Sequence, residues 1–139
     1  MRMVVLESAT AVRKDFSRFI DRVTRSGPAF FKRNRDELAA LSLDQLEFLL
    51  TPYRLTVEYA REENGTFSGG FRELDLVGNA ASIKGLKSVL ADELVEYAQE
   101  YLSNFELYYH APNRQNHLPY VLRALLQEDS EGVVKWIDG

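Results

Sequence analysis

The sequence lacks several features that would point to particular classes of protein. It has no cysteine, which excludes disulfide bonds and thiolate metal sites. No apolar run is long enough for a membrane span, and the apolar stretch at the N-terminus is too short for a signal peptide. We also find no phosphate-binding glycine loop, nucleophile elbow or His-Glu-x-x-His motif. These absences favour a soluble, cytoplasmic protein without enzymatic activity and without a cofactor.

Charge is present but unevenly distributed. The net charge is −4, which argues against general affinity for nucleic acid. Residues 2–35 nevertheless carry nine basic and three acidic side chains, a sum of +6, whereas residues 51–139 carry eight and fourteen, a sum of −6. Such a split predicts two units with different partners. We place their boundary at Thr51-Pro52, where proline ends a helical pattern, and predict domains at 1–51 and 52–139.

The first part of the chain predicts a β-α-β-β-α unit. A short strand at Met3–Leu6 precedes a helix over Ala9–Arg25, with Ser8 or Thr10 as its N-cap. Strands at Ala29–Lys32 and Leu38–Leu41 flank a turn in which Asn34 can adopt a left-handed conformation. A final helix over Leu43–Leu50 begins after Ser42.

The second part predicts a β-β-β-α-α-β unit, so the fold class is α+β. Alternation marks a strand at Leu55–Tyr59, and Asn64-Gly65 is a strong hairpin signal. The other predicted elements are strands at Thr66–Arg72 and Leu74–Val77, a long helix from Ser82 that continues with a break to Tyr109, a helix beginning at His117-Leu118-Pro119, and a closing strand at Gly132–Ile137. Trp136 is expected in the core.

The segments SATAVRKDFSRFIDRV (8–23) and LSLDQLEFLL (41–50) resemble the N-terminal domain of Phd/YefM antitoxins. The positions that match this family's pattern are Ser8, Arg13, Phe16, Ser17, Ile20, Asp21, Arg33, Ser42 and Leu43. Two features depart from it: Ala11-Val12 replaces a common Glu-Ala pair, and Asn34-Arg35 replaces the usual turn glycine. The resemblance covers about residues 1–50.

This resemblance implies a homodimer that binds palindromic operator DNA and represses its own operon. Arg13 and Arg33 are then the expected base contacts, since arginine can pair bidentately with guanine. Arg13 also lies near the start of the predicted helix, where the helix dipole attracts anions. Lys14, Lys32 and Arg35 are the expected phosphate contacts, which position the protein without specifying sequence.

Residues 53–102 resemble, more loosely, the HicB-type antitoxin domain, through a strand, an acidic Asn-Gly turn, the run GGFRELDLVG (69–78) and an amphipathic helix. Such domains bind and do not catalyse. The cognate toxin is expected to be a small basic ribonuclease, which suits an acidic surface. The acidic residues we expect to bind it are Glu58, Glu62, Glu63, Glu73 and Asp75.

Three alternatives remain open at this point. The chain could be a transcriptional regulator of the same fold without a toxin, its second domain binding a ligand or oligomerising. It could also be a binding module whose basic stripe is only a solvated helix face. Two histidines seven residues apart, His110 and His117, invite a metal or acid–base interpretation, but a structural or partner-binding role for the Tyr108–His117 loop is favoured.

Overall fold

The computed structural model describes residues 1–139, which divide into two compact units, 1–49 and 50–139. The first unit contains one three-stranded sheet of order β1-β2-β3, in which β1 is parallel to β2 and β3 is antiparallel to it. Its elements, the last of which extends one residue beyond the unit, are β1 (Glu7–Ser8), α1 (Ala9–Lys14), α2 (Phe16–Ser26), β2 (Ala29–Arg33), β3 (Asp36–Ala40) and α3 (Leu43–Leu50).

The long helix predicted over residues 9–25 is two helices, so that prediction is wrong. Asp15 has a non-helical backbone (φ −142°, ψ 74°), and its carboxylate accepts a hydrogen bond from the backbone N–H of Arg18 at 3.2 Å. Aspartate competes with the helix in this way because its short side chain can cap the following turn. The predicted strand at Met3–Leu6 is also wrong, since pairing begins only at Glu7. The order is therefore β-α-α-β-β-α.

Other local predictions in the first unit are confirmed. Ser8 caps α1, accepting from the N–H of Ala11 at 3.1 Å. Asn34 has φ 55° in the β2–β3 turn, a conformation that asparagine tolerates better than most residues. Ser42 and Gln45 form a reciprocal capping box at the start of α3, with both bonds at 3.2 Å.

The second unit is a four-stranded sheet of order β6-β5-β4-β7 with helices packed against it. Strands β4, β5 and β6 are antiparallel neighbours, and β7 is parallel to β4. Its elements are β4 (Leu55–Arg61), β5 (Phe67–Phe71), β6 (Val77–Ala80), α4 (Ile83–Ser103), α5 (Phe105–His110), a 3-10 turn (Gln115–His117), α6 (Leu118–Leu125), α7 (Ser130–Val134) and β7 (Ile137–Asp138).

Two predicted strands of this unit are misplaced. The third strand begins at Val77, where the predicted one ended. The closing strand predicted from Gly132 is mainly helix α7, because the carboxylate of Asp129 accepts from the N–H of Gly132 and caps a new helix. Only Ile137–Asp138 pair as a strand. The order is thus β-β-β-α-α-α-α-β in place of the predicted β-β-β-α-α-β.

The other signals in this unit are confirmed. Gly65 takes φ 87° in the β4–β5 turn, and Ser82 caps α4 by accepting from the N–H of Gly85 at 3.0 Å. The long helix has the predicted break, which the structure places at Asn104, and it continues as α5. Pro119 lies in the first turn of α6, where its missing N–H has no helical partner to lose.

The core of the second unit lies between α4 and one face of the sheet. Leu86, Leu90 and Leu94 of α4 are fully buried, as is Leu55 of β4. Trp136 is also in this core, as predicted. Gly78 permits close packing, since a Cβ there would lie 2.9 Å from Cγ1 of Val89. No helix in the structure is both long and apolar enough to cross a membrane.

Candidate nucleic-acid and partner interfaces

The five cations predicted to contact DNA are all exposed and come from neighbouring elements of the first unit. Two lie in the last turn of α1 and three in or beside the β2–β3 hairpin, and α1 packs against β2. They are Arg13, Lys14, Lys32, Arg33 and Arg35. Lys32 is directly paired with Ser8, the N-cap of α1, in the parallel register of β1 and β2. The fold therefore brings the two sequence segments that carry these cations together.

The helix-dipole argument for Arg13 does not hold in this structure. Because the chain breaks at Asp15, Arg13 lies in the last turn of the six-residue helix α1 and not near the start of a long one. A cation is favourable at this end of a helix, but the helix offers no free N–H groups to an anion there. What remains is an exposed guanidinium without an ion-pair partner.

Arg33 is the only one of the five with a carboxylate in range. Its Nη2 lies 3.7 Å from Oδ2 of Asp36 across the hairpin turn, and both side chains are largely exposed. Exposed pairs of this kind contribute little to stability. The guanidinium of Arg33 can therefore leave Asp36 and bind a phosphate or a base edge with little loss of free energy. Elsewhere in the unit Glu7 is paired with Arg22 and Glu37 with Arg2.

The first unit also exposes much apolar surface. Only Val12, Phe19 and Val23 of its 49 residues are buried apolar side chains in its own core. Met3 and Val5 of the N-terminal segment and Phe16 of α2 are exposed. A groove of about 530 Å³ is lined by Arg2, Met3, Val4 and Leu6 on one side and by residues of β2 and β3 on the other. Apolar surface on this scale is unusual for a unit that stands alone.

The predicted toxin-binding acids do not form one surface. Glu58 lies on the sheet face opposite α4, 3.6 Å from the guanidinium of Arg72. Glu62 and Glu63 lie at the β4–β5 turn. Glu73 has a structural role instead, since its carboxylate accepts from the backbone N–H of Thr56 at 2.7 Å.

Asp75, the fifth of these acids, lines a polar pocket of about 220 Å³ together with Leu76, Tyr97, Tyr108 and Arg114. The guanidinium of Arg114 lies 5.5 Å from the ring of Tyr97 and 5.8 Å from that of Tyr108, in cation–π contact with both. Sequence reasoning did not assign a role to Arg114, although it is the only lysine or arginine between Lys87 and Arg123. That isolation among acids and aromatic residues was the available signal.

A hydrogen-bonded network fixes the Tyr108–His117 loop on α4. The hydroxyl of Tyr97 accepts from Nη1 of Arg114 at 2.8 Å and lies 2.8 Å from Nδ1 of His117. Its proton is thus free to point at Nδ1, which requires neutral His117 with its proton on Nε2. Tyr101, fully buried, donates to the carbonyl oxygen of Arg114 at 2.6 Å. The loop is therefore held as part of the fold.

His117 should make stability depend on pH. Burial lowers its pKa below the ordinary 6.5, a shift that the charge of Asp75 opposes and that of Arg114 supports. The unfolded chain then binds a proton more readily than the folded one, so the free energy of unfolding falls as pH drops from about 7 to below the unfolded pKa. Urea denaturation across this range should show the loss.

Two variants control that measurement. His117→Gln should weaken the pH dependence, whereas His110→Gln, at an exposed position, should retain it. An unchanged pH profile in His117→Gln would contradict the assignment. No group of three or more His, Asp or Glu side chains is arranged to hold a metal ion.

Comparison with known proteins extends these observations to the whole chain. A family model described as PHD_like, an antitoxin of RelE/RelB toxin–antitoxin systems, matches residues 3–139. A crystal structure from Syntrophomonas wolfei subsp. wolfei, described as an antitoxin part of a proposed toxin/antitoxin system, superimposes with a TM-score of 0.91 at 37% sequence identity, covering 96% of each chain. No curated protein matches the chain. Both matches span the two units together.

Proposed function

Since this chain belongs to the PHD_like family of antitoxins of toxin–antitoxin systems, we propose that residues 1–51 form a Phd/YefM-like, dimeric operator-binding domain and that residues 52–139 form a HicB-like domain that binds the toxin. Family membership implies a toxin partner and supports a regulatory, non-enzymatic role. It also favours an antitoxin over a transcriptional regulator without a toxin. The assignment of DNA binding to the first unit and toxin binding to the second depends mainly on one observation, the opposite charge of the two units.

DNA binding is supported by five exposed cations on adjacent elements of the first unit. Four of them have no ion pair, and the pair made by Arg33 is weak. Arg13 and Arg33 are the proposed base contacts; Lys14, Lys32 and Arg35 are the proposed phosphate contacts. Binding that depends on phosphate neutralisation weakens steeply with salt.

Dimerisation is supported by the apolar surface of the first unit. A domain with three buried apolar side chains in its own core gains stability when a second copy covers Met3, Val5 and the groove beside them. A two-fold dimer would also present two sets of the five cations, which matches a palindromic operator.

Toxin binding is supported by the excess of acids in the second unit. Residues 51–139 sum to −6, which attracts a basic partner and speeds association. A small basic ribonuclease fits this charge. Of the predicted contacts, Glu62 and Glu63 form no ion pair and Glu58 forms only a weak exposed pair with Arg72. The carboxylate of Glu73 is bonded within the fold, and Asp75 is exposed and lines the pocket beside Arg114.

A gel-shift titration with DNA from immediately upstream of the gene tests the proposal. We expect a specific complex whose affinity falls linearly with salt on a double-logarithmic scale. Light scattering of the free protein should give the mass of a dimer. A shift no stronger than on random DNA would remove the repressor assignment and leave a binding module whose cations are only solvated.

A further inference from the structure

A groove lined by both apolar and polar side chains lies at the end of helix α4. The helix breaks at Asn104 and resumes as α5, and residues Leu102 to Leu107 line a groove of about 620 Å³ at this break. The side chains of Leu102 and Leu107 are 50% and 71% exposed, and that of Phe105 is 38% exposed. Three large apolar side chains thus stay in water although the core of the same unit lies beneath them. We call these six residues the α4–α5 groove.

The sequence on either side of this groove contains several acids and neither lysine nor arginine. Between Lys87 and Arg114 the chain has no lysine or arginine. The acidic side chains in this interval are Asp92, Glu93, Glu96, Glu100 and Glu106, all exposed. None of them forms an ion pair, and Glu106 lines the groove itself. Glu100 already accepts a hydrogen bond from the hydroxyl of Tyr108, whereas Glu106 is free to pair with a partner.

The sheet face opposite α4, which carries the predicted contact Glu58, offers less to a partner. Two of its acids already have an arginine nearby: Glu58 lies 3.6 Å from Arg72, and Asp138 is held by two 2.8 Å hydrogen bonds from Arg54. Its only large exposed apolar side chain is Val77, at 78%. Hot spots of protein interfaces combine apolar anchors with complementary charge, and the groove offers three exposed apolar side chains beside the unpaired Glu106.

We infer that the toxin docks on the α4–α5 groove, through a segment that presents lysine or arginine around exposed apolar side chains. Leu102, Phe105 and Leu107 would be the apolar anchors, and Glu106, the acid that lines the groove, would pair with the partner's cations. This inference rests on the proposed function and assigns the toxin site to the helix break.

The test uses the full chain and, as the probe, the protein encoded by the neighbouring reading frame. The double variant Leu102→Ser/Leu107→Ser should weaken its binding at least about tenfold, mainly through faster dissociation. Glu106→Lys should slow association about tenfold at low salt, with little effect at high salt. All three positions are exposed, so circular dichroism should show an unchanged fold.

Matched variants on the sheet separate the possible outcomes. Val77→Ser and Glu58→Lys remove an apolar side chain and reverse a charge there, and both should leave binding within about twofold of the wild type. If the sheet variants lose binding and the groove variants keep it, the inference is overturned while the antitoxin assignment stands. If the wild-type chain does not bind the neighbouring protein, the proposed toxin domain itself fails. A smaller oligomer of the groove variant, with toxin binding intact, would identify the groove as a contact between copies and overturn the inference.

Discussion

Replacing Arg13 and Arg33 together with alanine should lower the affinity for operator DNA by at least about a hundredfold. Each arginine removed from a base edge costs about 1–3 kcal/mol, and a dimer loses every contact twice. Because both side chains are exposed and neither supports the core, the loss should occur without unfolding. Fluorescence anisotropy with labelled operator DNA at fixed salt measures the affinity directly.

Arg25→Ala is the matched control for this experiment. Arg25 lies in the last turn of α2 and is exposed, so its removal changes the charge of the same unit without touching the predicted site. It should weaken binding only slightly, by the general loss of positive charge. If Arg25→Ala and the double variant weaken specific and random DNA alike, the arginines act only through charge and the assignment of base contacts is wrong.

Leu94→Ala should destabilise the second unit by about 3 kcal/mol. Leu94 is fully buried in the middle of α4 and belongs to the core formed with the sheet. Truncation would remove the favourable burial of its side chain and leave a cavity that the surrounding leucines can only partly fill. Urea denaturation followed by far-ultraviolet circular dichroism gives the free energy of unfolding.

Leu102→Ala provides the comparison on the same helix. Its side chain is half exposed, so the same truncation should change the free energy of unfolding by no more than about 0.5 kcal/mol. Equal losses for the two variants would mean that Leu102 is buried in solution, which would also remove it from the proposed docking groove.

Local signals in the sequence predicted much of this fold because they act over a few residues. Helix starts were predicted at Ser42 and Ser82, and Ser8 or Thr10 was the expected cap of the first helix. Ser8, Ser42 and Ser82 each accept a capping hydrogen bond. Asn34 and Gly65 were identified as turn residues because few others adopt a positive φ. Such preferences need no knowledge of the distant chain.

The errors arose where two local signals compete, or where the position of a strand depends on its pairing with a neighbouring strand. Asp15 fitted an amphipathic helix, but its side chain also caps the next turn, and that alternative prevails. The apolar Gly132–Ile137 run suggested a strand, yet Asp129 starts a helix that uses the same residues. The position of β6 depends on its register with β5, which the sequence of either strand alone does not specify.

The candidate sites were predicted unevenly for a similar reason. Exposed cations close together in sequence could be found from residue type alone, and the fold then brings α1 and the hairpin together. The groove could not be found in this way, because Leu102 and Leu107 have the pattern of core residues. Only the break at Asn104 and the packing beneath α4 leave them in water.

The chain's single tryptophan, Trp136, lies buried in the second unit beneath the guanidinium of Arg123. All intrinsic tryptophan emission therefore originates from this unit, and the basic unit contributes none. A red shift of the emission reports the opening of the acidic unit alone, whereas melting of the basic unit is invisible at these wavelengths. Emission and circular dichroism recorded on one sample thus resolve whether the two units unfold together or in sequence.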